Sequence, residues 1–351
     1  MLVSEFDYPL PEELIAQRPL EDRAASRVLV LYRDEQRWED RTFSEFPSFL
    51  RPGDCVVLND SKVFPSRLFG RRAGIRSLSV GKNNPKRREH LSGEVEVFLL
   101  RPSATDPNVW QALVRPGRKM RTGERVRFSD ELEAEIIGWG ELGERTVRFF
   151  PTGKLADRLN AIGHVPLPPY IKRTDDPADR ERYQTVFARH SGSVAAPTAG
   201  LHFTPEILSA CRAAGADIAY VTLHIGLGTF QPVHTDQVEN HRLHSEWFHL
   251  SEEEAARMRG ASRLVAVGTT SVRVIESSGL EAAVAETALF IYPGFEFRHT
   301  GALLTNFHLP RSTLLMLVCA FGGKELVLAA YRHAVHARYR FYSYGDSMLI
   351  V

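Results

Sequence analysis

Cysteine is scarce: the chain carries three, Cys55, Cys211 and Cys319, far apart and each embedded in apolar sequence. That spacing offers neither paired zinc ligands nor a disulfide framework, so reduced core thiols are expected. Long apolar runs are missing too. The longest, TLLMLVCAF at 313–321, is far short of the ~20 residues a bilayer crossing needs, and the N-terminal MLVSEFDYPLPEEL lacks the basic and apolar regions of a signal peptide. A cytoplasmic protein with no membrane partner is expected. Internal repeats are also absent. What the 351 residues do contain, 43% hydrophobic and 25% charged, is enough for a sizeable core and for two domains.

A net charge of +1 says little until it is divided along the chain. Residues 61–151 hold eighteen Lys/Arg against eleven Asp/Glu, a surplus of seven, which leaves −6 for the remainder. A basic segment grafted on an acidic body is the electrostatic footprint of a protein that meets nucleic-acid phosphates. The competing reading is a solvated surface with a basic loop at GKNNPKRREH, residues 81–90.

Secondary-structure patterning changes at the same borders. Within 61–151, short runs such as SRLFGRR, EVEVFLL, VWQALVR, ERVRFS, LEAEIIGW and RTVRFF alternate with turn sequences, the pattern of a small antiparallel β-barrel. Elsewhere strands alternate with helices: SVAAPTAGLHF reads as a strand, TPEILSACRAAG as a helix capped by Thr204, Pro205 and Gly215, and DIAYVTLHIG as a strand. SEEE at 251–254 opens another helix with a capping-box pattern, and RLVAVG and ALLTNF are further strands that lead into TTSVRVIES and LLMLVCAF. The expected fold is a mixed α/β body, residues 1–60 and 152–351, with a basic β-barrel inserted at 61–151.

Polar clusters gather at four expected strand ends: APTAGLHF (196–203), LHIGLGTF (223–230), VGTTSVR (267–273) and LLTNFHLPRST (303–313). In open α/β sheets ligands bind beyond the carboxyl ends of strands, so four decorated ends predict one shared site. Gly226 and Gly228 permit close backbone approach, while Gly268, Thr269, Thr270 and Ser271 offer unpaired N–H groups and hydroxyls to an anion, with Arg273 one turn further on as a bidentate partner. GLG lacks the third glycine of a dinucleotide fingerprint and VGTTSVR lacks the lysine of a P-loop. Three histidines, His202, His224 and His308, sit beside glycine or proline turns. His241, His244 and Glu246 imitate metal ligands, but their spacing matches no zinc pattern, and an acid–base or orienting role for His244 and Glu246 fits better.

Together these stretches, with FDYPLPEELIAQRPLEDRAASRVLVL, VLNDSKVFPSRLFG, HVPLPPYIKR, RYQTVFA, HRLHSEWF, LFIYPGFEFR and YRFYSYGDSMLI, resemble the S-adenosylmethionine:tRNA ribosyltransferase-isomerase family of queuosine biosynthesis. The resemblance runs from Phe6 to the C-terminus. Two departures stand out: residues 73–94 are longer and more basic than the usual short turn, and 276–288 is shortened.

The resemblance implies transfer and isomerisation of the ribosyl moiety of S-adenosylmethionine onto 7-aminomethyl-7-deazaguanine at the wobble position of tRNA, giving epoxyqueuosine, adenine and methionine. It implies removal of a proton beside the sulfonium, loss of adenine, attack by the base's amine, and closure to the epoxide as methionine leaves. On this reading His224 and His202 are candidates for proton transfer, with His244, Glu246 and Asp60 behind them. S-adenosylmethionine, a substrate rather than a cofactor, is expected at Gly226, Gly228, Thr229, Phe230, Gly268, Thr269, Thr270, Ser271, Arg273, Asn306 and His308. The tRNA is expected at Arg67, Arg71, Arg72, Lys86, Arg87 and Arg88. No metal is expected, and the protein is expected to be a monomer. Two other classes stay open on the residues alone: a non-enzymatic RNA-binding protein, and a metal-dependent hydrolase built on His241, His244 and Glu246.

Overall fold

The computed structural model describes residues 1–73, 93–140, 143–226, 233 and 235–351. In chain order its strands are β1 (Arg27–Tyr32), β2 (Arg37–Thr42), β3 (Asp54–Asn59), β4 (Ser61–Val63), β5 (Arg67–Arg72), β6 (Glu94–Pro102), β7 (Val109–Arg115), β8 (Arg125–Ser129), β9 (Leu132–Trp139), β10 (Arg145–Pro151), β11 (His190–Ser193), β12 (Asp217–Leu223), β13 (Glu246–Leu250), β14 (Arg263–Val267), β15 (Ala283–Thr287), β16 (Thr300–Asn306) and β17 (Ser347–Ile350). Met1–Lys62, Leu167–Thr174 and Glu181–Val351 form one compact unit, and Val63–Pro166 with Asp175–Arg180 form another.

The first unit is built on a nine-stranded mixed sheet in the order β15-β13-β12-β3-β14-β16-β17-β1-β2. Its inner strands β3, β14, β16, β17 and β1 are largely apolar because both faces are covered, whereas the edge strands β2 and β15 are largely exposed. Alternate residues of β1 and β3 divide accordingly: Leu29, Leu31, Cys55 and Val57 join one core, and Val28, Val30, Val56 and Leu58 the other. Helices Glu252–Arg259, Thr269–Ser278, Thr313–Gly322 and Lys324–His336 pack into the first core, and helix Pro205–Ala213 into the second. The pairs β12–β3, β3–β14 and β14–β16 are all parallel, so the carboxyl ends of these four central strands share one edge. The three cysteines are buried free thiols.

The helix signals are used as their chemistry suggests. Thr204 accepts from the N–H of Ile207 to open helix Pro205–Ala213, and Ser251 accepts from that of Glu254 at the head of helix Glu252–Arg259. The segment 193–203 departs from the strand expected there. Pro197 cannot donate to a ladder, and the chain instead winds a 3-10 turn over Thr198–His202.

The second unit is a closed, wholly antiparallel barrel in the order β10-β7-β6-β5-β8-β9. Its lumen is filled by Leu68, Val95, Val97, Leu99, Ala112, Val114, Val126, Ala134, Ile136, Val147 and Phe149. Gly70 is required by close approach, since a Cβ there would lie 2.7 Å from the carbonyl of Arg127. All six strands fall within 61–151. The unit also includes helix Leu155–Ile162, whose Leu155 and Leu159 join the barrel core, a stretch that the sequence reading assigned to the body.

Candidate active site

Where β12, β14 and β16 end, the first unit has an open cleft of about 690 Å³, a volume that counts the solvent at its mouth. Asn59 at the end of β3 fixes its frame. Its Nδ2 donates to the carbonyl of Leu223 (3.1 Å) and to Thr270 Oγ1 (3.2 Å), while its Oδ1 accepts from the N–H groups of Ser61 and Leu223 (3.1 Å each). The end of β12 is thereby tied to the start of helix Thr269–Ser278. Gly268, with φ 86, turns the chain from β14 into that helix, and Ser271 donates back to the carbonyl of Val267.

The lining is uncharged, mixing apolar side chains such as Phe307, Leu309 and Leu314 with polar groups. Gly268, Thr269, Thr270, Asn306 and His308 contribute to it, as do Thr198, Ile225, Thr305, Tyr170, Tyr342 and Ser343; among the described residues no Asp, Glu, Lys or Arg does. His308 is neutral, because burial pushes its pKa down to about 3, and its Nε2 pairs with Thr305 Oγ1 at 2.7 Å. Asn306 points its Nδ2 at His202 Nε2 (3.2 Å) and at the carbonyls of Tyr342 (3.2 Å) and Asp346 (3.4 Å). Its Oδ1 and the Tyr342 hydroxyl are buried without a hydrogen-bond partner among the described residues. Tyr342 also has φ 70, a conformation that costs a bulky residue about 1–3 kcal/mol and persists only where its surroundings impose it.

The histidines separate into different roles. His202 does not line this cleft. It borders a smaller neighbouring pocket with Arg23 and Ser26, and both its ring nitrogens are occupied, Nδ1 by Ser26 Oγ at 2.7 Å and Nε2 by Asn306. Burial, with Arg23 and Arg340 adding to it, holds its pKa near 3. His224 does not line the cleft either, though its neighbour Ile225 does; its ring is stacked on Trp247 with centroids 4.9 Å apart. Burial and neighbouring His190 lower its pKa to about 4, and its Nδ1 is buried with no partner among the described residues. A side chain at Gly192 would place Cβ 2.6 Å from His224 Nε2, so the imidazole occupies space that only glycine leaves. Nearby, Asp60 accepts from Thr222 Oγ1 at 2.7 Å and lies 3.6 Å from His190.

Arg273 and Glu246 are bonded to each other in a buried ion pair. Arg273 also donates to the carbonyls of Leu289 and Thr287 (3.1 Å each), and Glu246 accepts from the N–H of Gly226 at 2.8 Å. The guanidinium expected to clamp a ligand's carboxylate thus serves the protein, holding the approach to the glycine turn through Glu246. His244 is exposed. Among the described residues no three His, Cys, Asp or Glu side chains converge as a metal site. Gly228, Thr229 and Phe230 lie outside the described residues, as do Lys86, Arg87 and Arg88. On the barrel, Arg67 pairs with Glu96 and Arg72 with Glu124, while Arg71 is exposed. Sequence reasoning missed Asn59, Tyr170, Tyr342 and Ser343, which are remote in the chain from the four polar clusters.

A cleft at parallel strand ends in one unit and a closed barrel as the other define a two-part α/β protein with a small-molecule site. The model of the queuosine biosynthesis protein family matches residues 3–350, and the chain belongs to that family. It is 67% identical over 352 residues to the S-adenosylmethionine:tRNA ribosyltransferase-isomerase of Solibacter usitatus and 47% identical over 362 residues to that of Symbiobacterium thermophilum, each match covering 100% of both chains. A crystal structure of S-adenosylmethionine tRNA ribosyltransferase from Thermotoga maritima matches 99% of this chain and 100% of its own, at 38% identity and a TM-score of 0.52.

Two outcomes follow from the buried groups. Arg273→Ala leaves the Glu246 carboxylate buried without its counter-ion, which costs about 3–5 kcal/mol of stability. Chemical denaturation should show that loss, and part of it should return in the double variant Arg273→Ala/Glu246→Gln; an Arg273→Ala protein as stable as wild type would contradict the pair's role. The second concerns His202, neutral in the fold down to about 3 but titrating near 6.5 when unfolded. The unfolded chain binds the extra proton, so this contribution is complete above pH 6.5 and is lost as pH falls toward 3, by about 2 kcal/mol at pH 5. His202→Gln should flatten the fall in unfolding free energy between pH 7 and 5 by about that amount, and an unchanged slope would contradict it.

Proposed function

We propose that the protein transfers and isomerises the ribosyl moiety of S-adenosylmethionine onto 7-aminomethyl-7-deazaguanine in tRNA, releasing adenine and methionine. The uncharged cleft at the strand ends carries this reading. A nucleoside brings a flat heterocycle and two hydroxyls but no charge, and largely apolar walls set with a few hydroxyls, amides and phenols suit it better than they suit a phosphate or a dicarboxylate. Gly268, Thr269, Thr270, Asn306 and His308 face that nucleoside, while Ser271 and Arg273 position the elements that bear them.

The reaction needs a base beside the sulfonium, whose positive charge acidifies the adjacent C5′ hydrogens. His224 fits this role better than His202, because it is neutral at pH 7 with one nitrogen uncommitted, whereas both nitrogens of His202 are engaged within the protein. Once His224 holds the proton, the ribose ring opens and expels adenine. The amine of the tRNA base then adds to the vinyl sulfonium and loses its proton, the resulting ylide carbon attacks the aldehyde left at C1′ when adenine departs, and the alkoxide so formed displaces methionine to close the epoxide. Glu246, already committed to Arg273, holds the backbone at Gly226. In this reading S-adenosylmethionine is a substrate, no separate cofactor or metal is required, and the protein acts as a cytoplasmic monomer.

Adenine release on mixing the protein with S-adenosylmethionine and precursor-bearing tRNA tests the reaction. His224→Gln keeps some hydrogen bonding and removes the base, so turnover should fall ~10²–10⁴-fold with S-adenosylmethionine binding nearly unchanged. Washout of deuterium from C5′ into water should be lost with it. Washout retained in His224→Gln would remove His224 from the role and leave Asp60 or Glu246 as the next candidates.

A further inference from the structure

Ion pairing leaves the net positive charge of the barrel unchanged but decides which of its cations keep no carboxylate partner. Arg67, Arg72, Arg101, Arg125, Arg127 and Arg158 each lie within salt-bridge distance of a barrel carboxylate: Glu96, Glu124, Glu144, Glu135, Glu133 and Glu131 in turn. Two of these, Arg125–Glu135 and Arg127–Glu133, are directly opposed cross-strand pairs. The turn between β7 and β8 is different. Arg118, Lys119 and Arg121 are exposed, and none of the three makes an ion pair among the described residues.

Arg145 holds that turn in place. It is only 4% exposed, and instead of meeting a carboxylate it donates to four carbonyls: Gly117 (3.1 Å) and Met120 (3.3 Å) in the basic turn, and Gly143 (2.7 Å) and Glu144 (3.0 Å) just before β10. The same guanidinium lies 3.4 Å from the ring centroid of Trp139. That indole, with a cation against one face, is still 60% exposed. A large aromatic left in solvent beside three unpaired cations, with one buried arginine fixing both, is costly for a surface with nothing to bind.

We propose that Trp139 and the Arg118–Lys119–Arg121 turn form an RNA-binding platform, on which an unstacked loop base of tRNA stacks against the indole while the three cations meet the flanking phosphates. Single-stranded RNA is the partner this chemistry fits, because its bases expose a π-face and its backbone supplies closely spaced anions. A duplex would bring phosphates but no face for the indole. The platform rests on the tRNA reading given above and adds contacts distinct from the carboxylate-paired Arg67 and Arg72.

Equilibrium binding of an unmodified tRNA transcript, measured against salt, tests the platform. The triple variant Arg118→Ala/Lys119→Ala/Arg121→Ala should weaken binding and reduce the slope of log affinity against log salt by about two to three, near one per lost phosphate contact. Trp139→Ala should weaken binding about five- to a hundredfold with the slope unchanged, and Trp139→Phe should recover most of it. Arg127→Ala, which removes a cation already paired with Glu133, is the control and should bind nearly as wild type. These side chains are exposed, so thermal midpoints should not move. Wild-type slope in the triple variant, wild-type affinity in Trp139→Ala, or an equal loss in Arg127→Ala would overturn the platform. Adenine release by the wild type is scored separately: release with unaltered tRNA binding in the variants sinks only the platform, whereas no release sinks the proposed reaction whatever the binding shows.

Discussion

The carboxamide of Asn306 donates to the ring of His202 and to the carbonyls of Tyr342 and Asp346. It thereby gathers the 3-10 turn after β11, the end of β16 and the segment before β17 at the same edge of the sheet. Using the amide hydrogens in this way sets the His202 tautomer, with Nε2 accepting and Nδ1 left to donate to Ser26. It also helps hold Tyr342 in its left-handed backbone conformation. The cost is an Oδ1 with no partner among the described residues, worth about 1–3 kcal/mol while unmet. Asn59 performs the matching task on β3, though all of its polar atoms are satisfied. One amide builds the frame, and the other builds the frame and leaves an acceptor at the cleft.

Charge is excluded from the cleft and used beside it. The buried Arg273–Glu246 pair fixes Gly226 through a carboxylate rather than through the backbone alone. Neutral imidazoles at His202 and His308 follow from burial, and His224 is kept neutral by burial with His190 as neighbour. A site that must let adenine leave and a sulfonium react gains from walls that contribute dipoles instead of competing ions, since fixed dipoles need little reorganisation as charge moves. On the barrel the rule is reversed: several cations meet carboxylates, while Arg118, Lys119 and Arg121 stand exposed without one in a single stapled turn.

Local signals were legible in the sequence. Period-two runs marked all six barrel strands, Thr204 and Ser251 marked helix starts, and glycine, threonine and asparagine clusters marked the edge where the central parallel strands end. Three kinds of information were not. The run 193–203 is apolar enough for a strand, and only the missing N–H of Pro197 argues against one. Asn59, Tyr170 and Tyr342 reach the cleft through topology, and no spacing in the chain brings them near Thr270 or Asn306. Charge counts, finally, do not reveal pairing: Arg67 and Arg118 contribute equally to the surplus, yet one faces Glu96 and the other faces solvent. The same blindness made Arg273 look like a ligand clamp, because its partner Glu246 lies on a neighbouring strand rather than on its own helix.

The claim on which the account rests is that the uncharged cleft takes the nucleoside half of S-adenosylmethionine and satisfies polar atoms the protein leaves unmet. Equilibrium binding of S-adenosylmethionine to Tyr342→Phe measures it with little confusion from folding, since the hydroxyl removed has no hydrogen-bond partner among the described residues. Affinity should fall about three- to tenfold, the worth of one neutral hydrogen bond, while unfolding free energy stays within about 0.5 kcal/mol of wild type or rises. Unchanged affinity for S-adenosylmethionine in a fully folded Tyr342→Phe protein would contradict it.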